Sequence, residues 1–549
     1  MVLSSPSSTV LPTEHVLFEV QLRLEGGGST MRWEPRAQAC IPALTTGPEL
    51  QRVKLNLVDM FRRADELAAV CGDTPGETAA LIDWLIGLIY AADEHPETSD
   101  EWLSWVTDRT PLHKVADWIA GHPGCWDLFD PERPLGQNPV LRPHLDTYGV
   151  GPAQLFLERV GDYNQFFNLH HLHHPEPVAA DAAWRAMLTQ HAYGIGMRGR
   201  IKAKDMGLPG TFTNLGTNRL ATRLKVIARP AWPGATIGDL LRLNTAPWPN
   251  KPGPLNLTWN QDGSSRRDFT RPGPQQVRPP QGPADLHTVL GRSIALRPTV
   301  LPDGRVGVDR VLIGAGETLA DLPATYLQDA VTFETPGGKK TLLKPSPTRE
   351  LWRESHALYS AVAERNKGTD LYGRVAMLHS RRVHLWAVGL LATQGKLTTW
   401  VSDEFPYVPG RETQLRHAAE QGSAICEYTA RSLYLVAAAA REIAYPNPKP
   451  DDKVAQLARF NGEPEMWAGA ADLFHRLLDQ VADTGATVES LADFGRDIRA
   501  LAITSLDGRL TSLSPGGTGL QARVTARARL LALLGHSKAP VQLKEPADA

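Results

Sequence analysis

Apolar positions recur at helical spacing from about residue 50: Leu57, Val58, Met60 and Phe61 are followed by Leu67 and Val70, then by the dense run 79–91. Trp102, Trp105 and Trp118 extend the pattern, which predicts a helical layer with aromatic anchors up to about residue 120. The run 81–92 carries Asp83 and reads as a core helix, because no window of about 18 apolar residues occurs. Residues 126–180 break into short pieces at Pro131, Pro134, Pro139, Pro143 and Pro152, irregular structure of a length that usually carries function. Residues 248–283 are dense in Pro and Gly, with Arg266, Arg267, Arg271 and Arg278 between them, and read as a disordered loop. Period-two alternation then predicts strands over 293–297 and 305–313, joined by the turn Pro302-Asp303-Gly304 into a hairpin. A second hairpin is predicted from 383–390 and 396–401, with Ala392-Thr393-Gln394-Gly395 at its tip.

Beyond Pro409 the period changes to that of long helices, expected over 412–444, 451–460, 465–482, 488–506 and 520–534 with Pro or Gly breaks between them. They predict an antiparallel bundle of about four helices. The fold class expected is α+β. A large mixed domain with irregular loops and β-hairpins spans 1–408, and a helical bundle spans 409–549.

A hydrophobic fraction of 42% and a net charge of -2 leave no room for a uniformly basic surface, so any polyanion must be met by a local patch. The four cysteines, Cys40, Cys71, Cys125 and Cys426, include no C-x-x-C pair, which argues against a zinc ribbon and for a reducing compartment. The first residues lack the basic start and apolar run of a signal peptide, so a cytoplasmic protein without membrane contact is expected.

One local patch stands out. The run Gly194-Ile195-Gly196-Met197-Arg198-Gly199 reads G-x-G-x-x-G, and over 197–230 the residues Arg198, Arg200, Lys202, Lys204, Arg219, Arg223, Lys225 and Arg229 face a single acid, Asp205. A dinucleotide site would need a buried strand before the first glycine, a helix starting at the last, and an acid roughly 20 residues on. Here the upstream segment 183–192 reads as helix, Gly207, Pro209 and Gly210 forbid a long helix downstream, and no acid occurs between Met206 and Pro230. Glycines beside cations suggest instead contact with a polyanion, the alternative being an ordinary solvated loop.

Catalytic signatures are missing: there is no G-x-x-x-x-G-K-[ST], H-E-x-x-H or G-x-S-x-G. In His170-His171-Leu172-His173-His174 the pairs 170/174 and 171/174 would share a helical face and can bind zinc or nickel. Pro175 and Pro177 follow, however, and no carboxylate stands at ligand spacing, which favours a partly exposed loop. Asp130 and Glu132 offer acid–base chemistry, against which stands a turn braced by an ion pair.

Taken in order, these features resemble the CasA family, the large subunit of the type I-E CRISPR surveillance complex Cascade, over about residues 35–535. The run Trp126-Asp127-Leu128-Phe129-Asp130-Pro131-Glu132-Arg133-Pro134-Leu135-Gly136-Gln137 is similar to that family's FDLFxPERPFxQ segment. Asn164-Gln165-Phe166-Phe167-Asn168, the Gly194 region, Thr211-Phe212-Thr213-Asn214-Leu215, the two hairpins and the terminal bundle follow in the family's order.

The resemblance implies a non-catalytic subunit that recognises the protospacer-adjacent motif in double-stranded target DNA, starts strand separation, and recruits the helicase-nuclease. Its partners would be the CRISPR guide RNA and the backbone, small and 5′-handle-binding Cascade subunits. Gly194, Gly196, Met197 and Arg198 match the family's glycine loop, which approaches the minor groove. Arg305 stands where the family has a lysine finger for the same groove, and Gln394 with Gly395 matches its glutamine wedge. Asn164, Phe166 and Phe167 match the segment that docks the guide RNA. Arg523, Arg527 and Arg529 are candidates for holding the displaced strand, against a solvated helix face. The cysteine cluster that some relatives carry near the first hairpin is absent, so no metal and no cofactor is expected. Two other classes stay open: a metal-dependent hydrolase using His170, His171, His173 and His174, and a scaffold that binds only protein.

Overall fold

The computed structural model describes residues 31–159, 176–199, 201–261, 264–265, 277–319, 322, 326–335, 339–346, 349–363, 370–379, 381–393, 396–447 and 452–544. Its organising element is the helix Pro75–Ala91, started by Thr74, whose side chain accepts from the Glu77 amide, with Pro75 in the first turn. From Gly76 to Tyr90 every residue of it is buried, as expected of a helix apolar all round. The helix Ala180–Tyr193 packs against it, and Trp84 meets Trp184 edge-on at 5.4 Å between ring centroids.

Three small antiparallel sheets surround this pair. The first orders its strands Arg52–Leu55, Ile41–Thr45 and Leu67–Val70. Helical spacing over 57–70 is therefore only half realised: the helix Leu57–Arg62 ends at Arg63, and Leu67–Val70 pairs with Ile41–Thr45 instead. Four residues with two apolar ends fit either period, and the open edge of a neighbouring strand decides between them.

The first predicted hairpin is present as Arg292–Val300 and Val306–Ala315, with Val178–Ala179 added at its edge. The second runs Val383–Thr393 and Lys396–Tyr407, longer than its alternation suggested, and Lys225–Pro230 pairs alongside. The proline-broken stretch folds as the short 3-10 turns Pro139–His144, Pro152–Leu155 and Leu157–Arg159. Of the segment read as a disordered loop, Leu257 and Trp259 are buried in core, while Arg266, Arg267 and Arg271 lie outside the described residues.

The C-terminal helices are Glu412–Ala444, Asp452–Phe460, Glu463–Thr484, Thr487–Leu510 and Gly517–Leu534, close to the predicted breaks. Gly485 ends one of them in the left-handed region, φ 73°, which a side chain would resist. Their apolar faces do not close on themselves. One core joins Leu415, Ala418 and Phe474 to Val383, Leu385, Phe405 and Tyr407 of the second hairpin and to Trp102. Among the described residues no helix is long and apolar enough to cross a membrane.

Candidate nucleic-acid interface

The 126–138 segment serves as a buckle. Asp127 Oδ1 accepts from the amides of Trp33 and Phe129, at 3.0 and 2.9 Å, and Asp130 Oδ1 accepts from those of Glu132 and Arg133, at 2.9 and 2.6 Å. The turn is thus braced by backbone donors, where an ion pair was expected. Gln137 Oε1 accepts from the Leu296 amide at 2.8 Å, and the Asn138 amide donates to Ile294 O at 2.8 Å. Both contacts fasten the segment to the first strand of the first hairpin, and satisfy polar groups that burial would otherwise penalise.

At the tip of that hairpin Gly304 takes φ +81° and Arg305 is exposed, its side chain at 62%. Asp303 Oδ2 accepts from Arg305 Nε at 2.7 Å, so the cation is partly screened from within its own turn. Val178–Ala179, which lead into the helix Ala180–Tyr193, pair with Val308 and Gly307 just past the tip. The glycine run starts at the other end of that 14-residue helix, about 21 Å away along its axis. The strand pairing agrees: the base pair Arg292–Ala315 lies eight residues from Val300–Val306, about 26 Å. Arg305 and the glycine run are therefore not brought together.

The glycine run is packed from inside. Gly194 is buried as the C-cap of the helix, and a Cβ there would sit 2.5 Å from the Arg292 guanidinium. Added Cβ atoms at Gly196 and Gly199 would fall 2.5 Å from Thr217 Oγ1 and Leu215 Cδ1. Such distances do not occur, so these glycines make room for the protein's own side chains, and Gly194 itself is buried. The Gly196 and Gly199 amides donate to Thr217 Oγ1 and Thr213 O, at 3.1 and 2.7 Å. Met197 and Arg198 pair with Leu215 and Asn214, leaving Met197 half-buried and Arg198 exposed.

Arg292 holds this arrangement. Its Nη2 donates to Ile195 O at 2.7 Å, and its Nη1 to Gly216 O and Asn218 Oδ1 at 2.8 and 3.0 Å. Burial pushes its guanidinium down to about 9. Beside it His191 Nε2 donates to Gly136 O at 2.9 Å while Nδ1 accepts from the Arg292 amide at 3.2 Å, an arrangement only the neutral ring supports. Burial pushes this imidazole down to about 4, against the Gly136 bond and with the help of Arg292.

Half of the basic stretch turns inward. Arg219 and Lys225 pair with Asp83, Arg223 and Lys225 with Asp329, and Arg229 with Glu404 at 2.9 Å, its guanidinium 3.7 Å over the Trp386 ring. Burial opposes the Asp83 charge, yet Arg219, Lys225 and His287 hold it well below the usual carboxylate range. Arg198, Lys202 and Lys204 remain exposed; Arg200 lies outside the described residues. The acids that neutralise the others are distant in sequence, which is why counting charges along the chain overstated the patch.

The second hairpin reaches the end of the helix that leads into the glycine run through Trp400. Its ring stands edge-on to Tyr193, the residue before Gly194, at 4.9 Å between centroids, and its Nε1 donates to Glu158 Oε1. Gln394 and Gly395 lie outside the described residues, as do Asn164, Phe166, Phe167, His170, His171, His173 and His174. In the last helix Arg523 donates to Thr511 O and Leu513 O, Arg527 pairs with Asp507 at 3.5 Å, and Arg529 is exposed. Among the described residues no group of three or more His, Cys, Asp or Glu could hold a metal ion. Sequence reasoning passed over Arg292, Trp400 and Asp329; only Asp83, an acid within an apolar run, gave a signal.

The family profile described as CRISPR-associated protein Cse1 matches residues 39–505. No curated protein sequence matched the chain. Among solved structures, CasA of Thermus thermophilus superposes with a TM-score of 0.71 at 17% identity, covering 92% of this chain and all of that one, 100%. Cse1 of Acidimicrobium ferrooxidans gives 0.67 at 19% identity, covering 92% and 98%. A chain of a structure described as a CRISPR RNA-guided surveillance complex gives 0.62 at 18% identity, covering 91% and 99%.

Proposed function

The chain belongs to the CRISPR-associated Cse1 family, and from that premise we propose that it is the non-catalytic DNA-recognition subunit of an RNA-guided antiviral complex. It reads a short motif in the minor groove through Met197 and Arg198, and opens the adjacent base pair with the tip of the second hairpin, Gln394 and Gly395. The observation that supports this most directly is the Tyr193–Trp400 contact, which sets the glycine run beside the second hairpin. A motif reader and a duplex opener must act on neighbouring base pairs, and a second hairpin packed against the residue that precedes the glycine run supports that pairing of roles. The surveillance-complex chain of the same fold supports a place in such an assembly.

The minor groove, about 6 Å wide, offers a degenerate donor and acceptor pattern, so a reader with one arginine accepts several related motifs. Unstacking one step costs a few kcal/mol, which phosphate contacts from Arg198, Lys202 and Lys204 offset. Target choice then passes to pairing with the guide RNA, docked at Asn164, Phe166 and Phe167. Arg305, about 21 Å from the glycine run along the intervening helix, holds a phosphate elsewhere on the same duplex. Recruitment of a helicase-nuclease completes the reading.

The test compares DNA-triggered strand opening by the reconstituted complex with and without Gln394→Ala plus Gly395→Asp. Opening is expected to fail while assembly on guide RNA persists. Unchanged opening would sink the assignment of the tip.

A further inference from the structure

We propose that Trp400 is a positioning residue that fixes the second hairpin against the glycine run, so that motif contact and duplex opening act as one unit. The inference rests on the DNA-opening role proposed above. Trp400 lies on the returning strand of the second hairpin, opposite Leu390 and four residues from Lys396, about 13 Å from the last described pair of the tip. Its indole leaves its own sheet and enters a notch built from three other places in the chain. Tyr193 meets the ring at 90°, Glu158 accepts the indole N–H, and Gly76 forms the floor.

The floor is the telling part. Gly76 stands in the first turn of the helix Pro75–Ala91, and glycine is a poorer helix former than alanine. A Cβ at this position would fall inside the Trp400 ring. The helix therefore accepts a poor helix former where the ring needs the space. Tyr193 is itself buried, and the next residue, Gly194, is locked between the Gln190 carbonyl and the Arg292 guanidinium. Displacement of the Met197–Arg198 segment thus has a short rigid route to the indole, and from there along a paired strand towards the tip. Packed side chains and a hydrogen-bonded strand are the physical means by which such coupling travels.

Two substitutions test this from opposite sides of the notch. Trp400→Leu removes the ring, and Gly76→Ala keeps the ring but takes its seat, an overpacking whose effect on folding is followed by thermal unfolding of both variants beside the DNA assays. In the guide-RNA complex, affinity for motif-bearing duplex is read by titration. Opening is read by the fluorescence of a base analogue placed at the pair next to the motif. Each variant is expected to bind motif DNA within about three-fold of the parent and to open it about ten-fold more slowly, a split that a merely destabilised fold would not produce. The double variant should be no slower than Trp400→Leu alone, since both changes act through one ring. Unchanged opening in Trp400→Leu overturns the proposal, and so does a parallel loss of binding and opening, or additive effects in the double variant. If the parent complex itself neither prefers motif DNA nor opens it, the DNA-opening role fails and the coupling falls with it.

Discussion

At the scale of the residue, the chain's least expected features are buried polar groups with one tolerable protonation state. His191 is the clearest. Its folded value of about 4 lies below the ordinary histidine range near 6.5, so the unfolded chain binds more protons between those limits. The stabilisation is therefore fully present above about pH 6.5 and is lost as the pH falls towards 4. A loss of about 2 kcal/mol between pH 7 and pH 5 is expected from this group, measured as the shift in urea stability that disappears in His191→Gln. His475 works in the opposite sense, because its hydrogen bond to Asp403 raises it and its contribution fades as the pH rises. Comparing parent and variant isolates the His191 part. Nothing in the local sequence around His191 marks it, since its partners Gly136 and Arg292 come from two other segments.

At the scale of the element, the tip of the first hairpin and the helix breaks were readable because turn chemistry is local. Pro302-Asp303-Gly304 forms the turn it predicts, and the Gly485 break falls where the helix ends. The role of Arg305 depends on where its hairpin points. Arg305 stands about 26 Å from the base of that hairpin, and we propose that it is a phosphate contact away from the motif reader. Arg305→Glu should weaken binding equally on motif-bearing and motif-free duplex, and Arg305→Ala should lower the slope of log affinity against log salt by about 0.9. A loss confined to motif-bearing DNA would restore it to the reader. The basic stretch 197–230 gave the opposite lesson: charge counted along the chain says nothing of the acids that folding brings to it.

At the scale of the whole molecule, the change of pattern at Pro409 marks a change of secondary structure without a gap in the core. Val383, Leu385, Phe405 and Tyr407 share one apolar cluster with Leu415, Ala418 and Phe474. Ion pairs cross the same boundary, Arg382 with Asp479 and Asp483 at 2.5 and 2.6 Å. We propose that 1–408 and 409–549 divide labour while folding together. A chain ending at Val408 is expected to lose cooperative thermal unfolding and bind apolar dyes; a sharp transition matching the full chain would show independent folding.

The sequence by itself determined the order of elements, the long C-terminal helices, the two hairpins and, through weak motifs in a fixed order, the family. These follow from periodicity and turn residues, whose causes lie within a few positions of each other. Tertiary structure alone decided that the glycines seat Arg292, Thr217 and Leu215, that half of the basic stretch faces Asp83, Asp329 and Glu404, and that Trp400 stands against Tyr193. Each of these joins residues far apart in the chain, and contacts of that kind carry no local signal because either partner alone reads as an ordinary glycine, cation or aromatic ring.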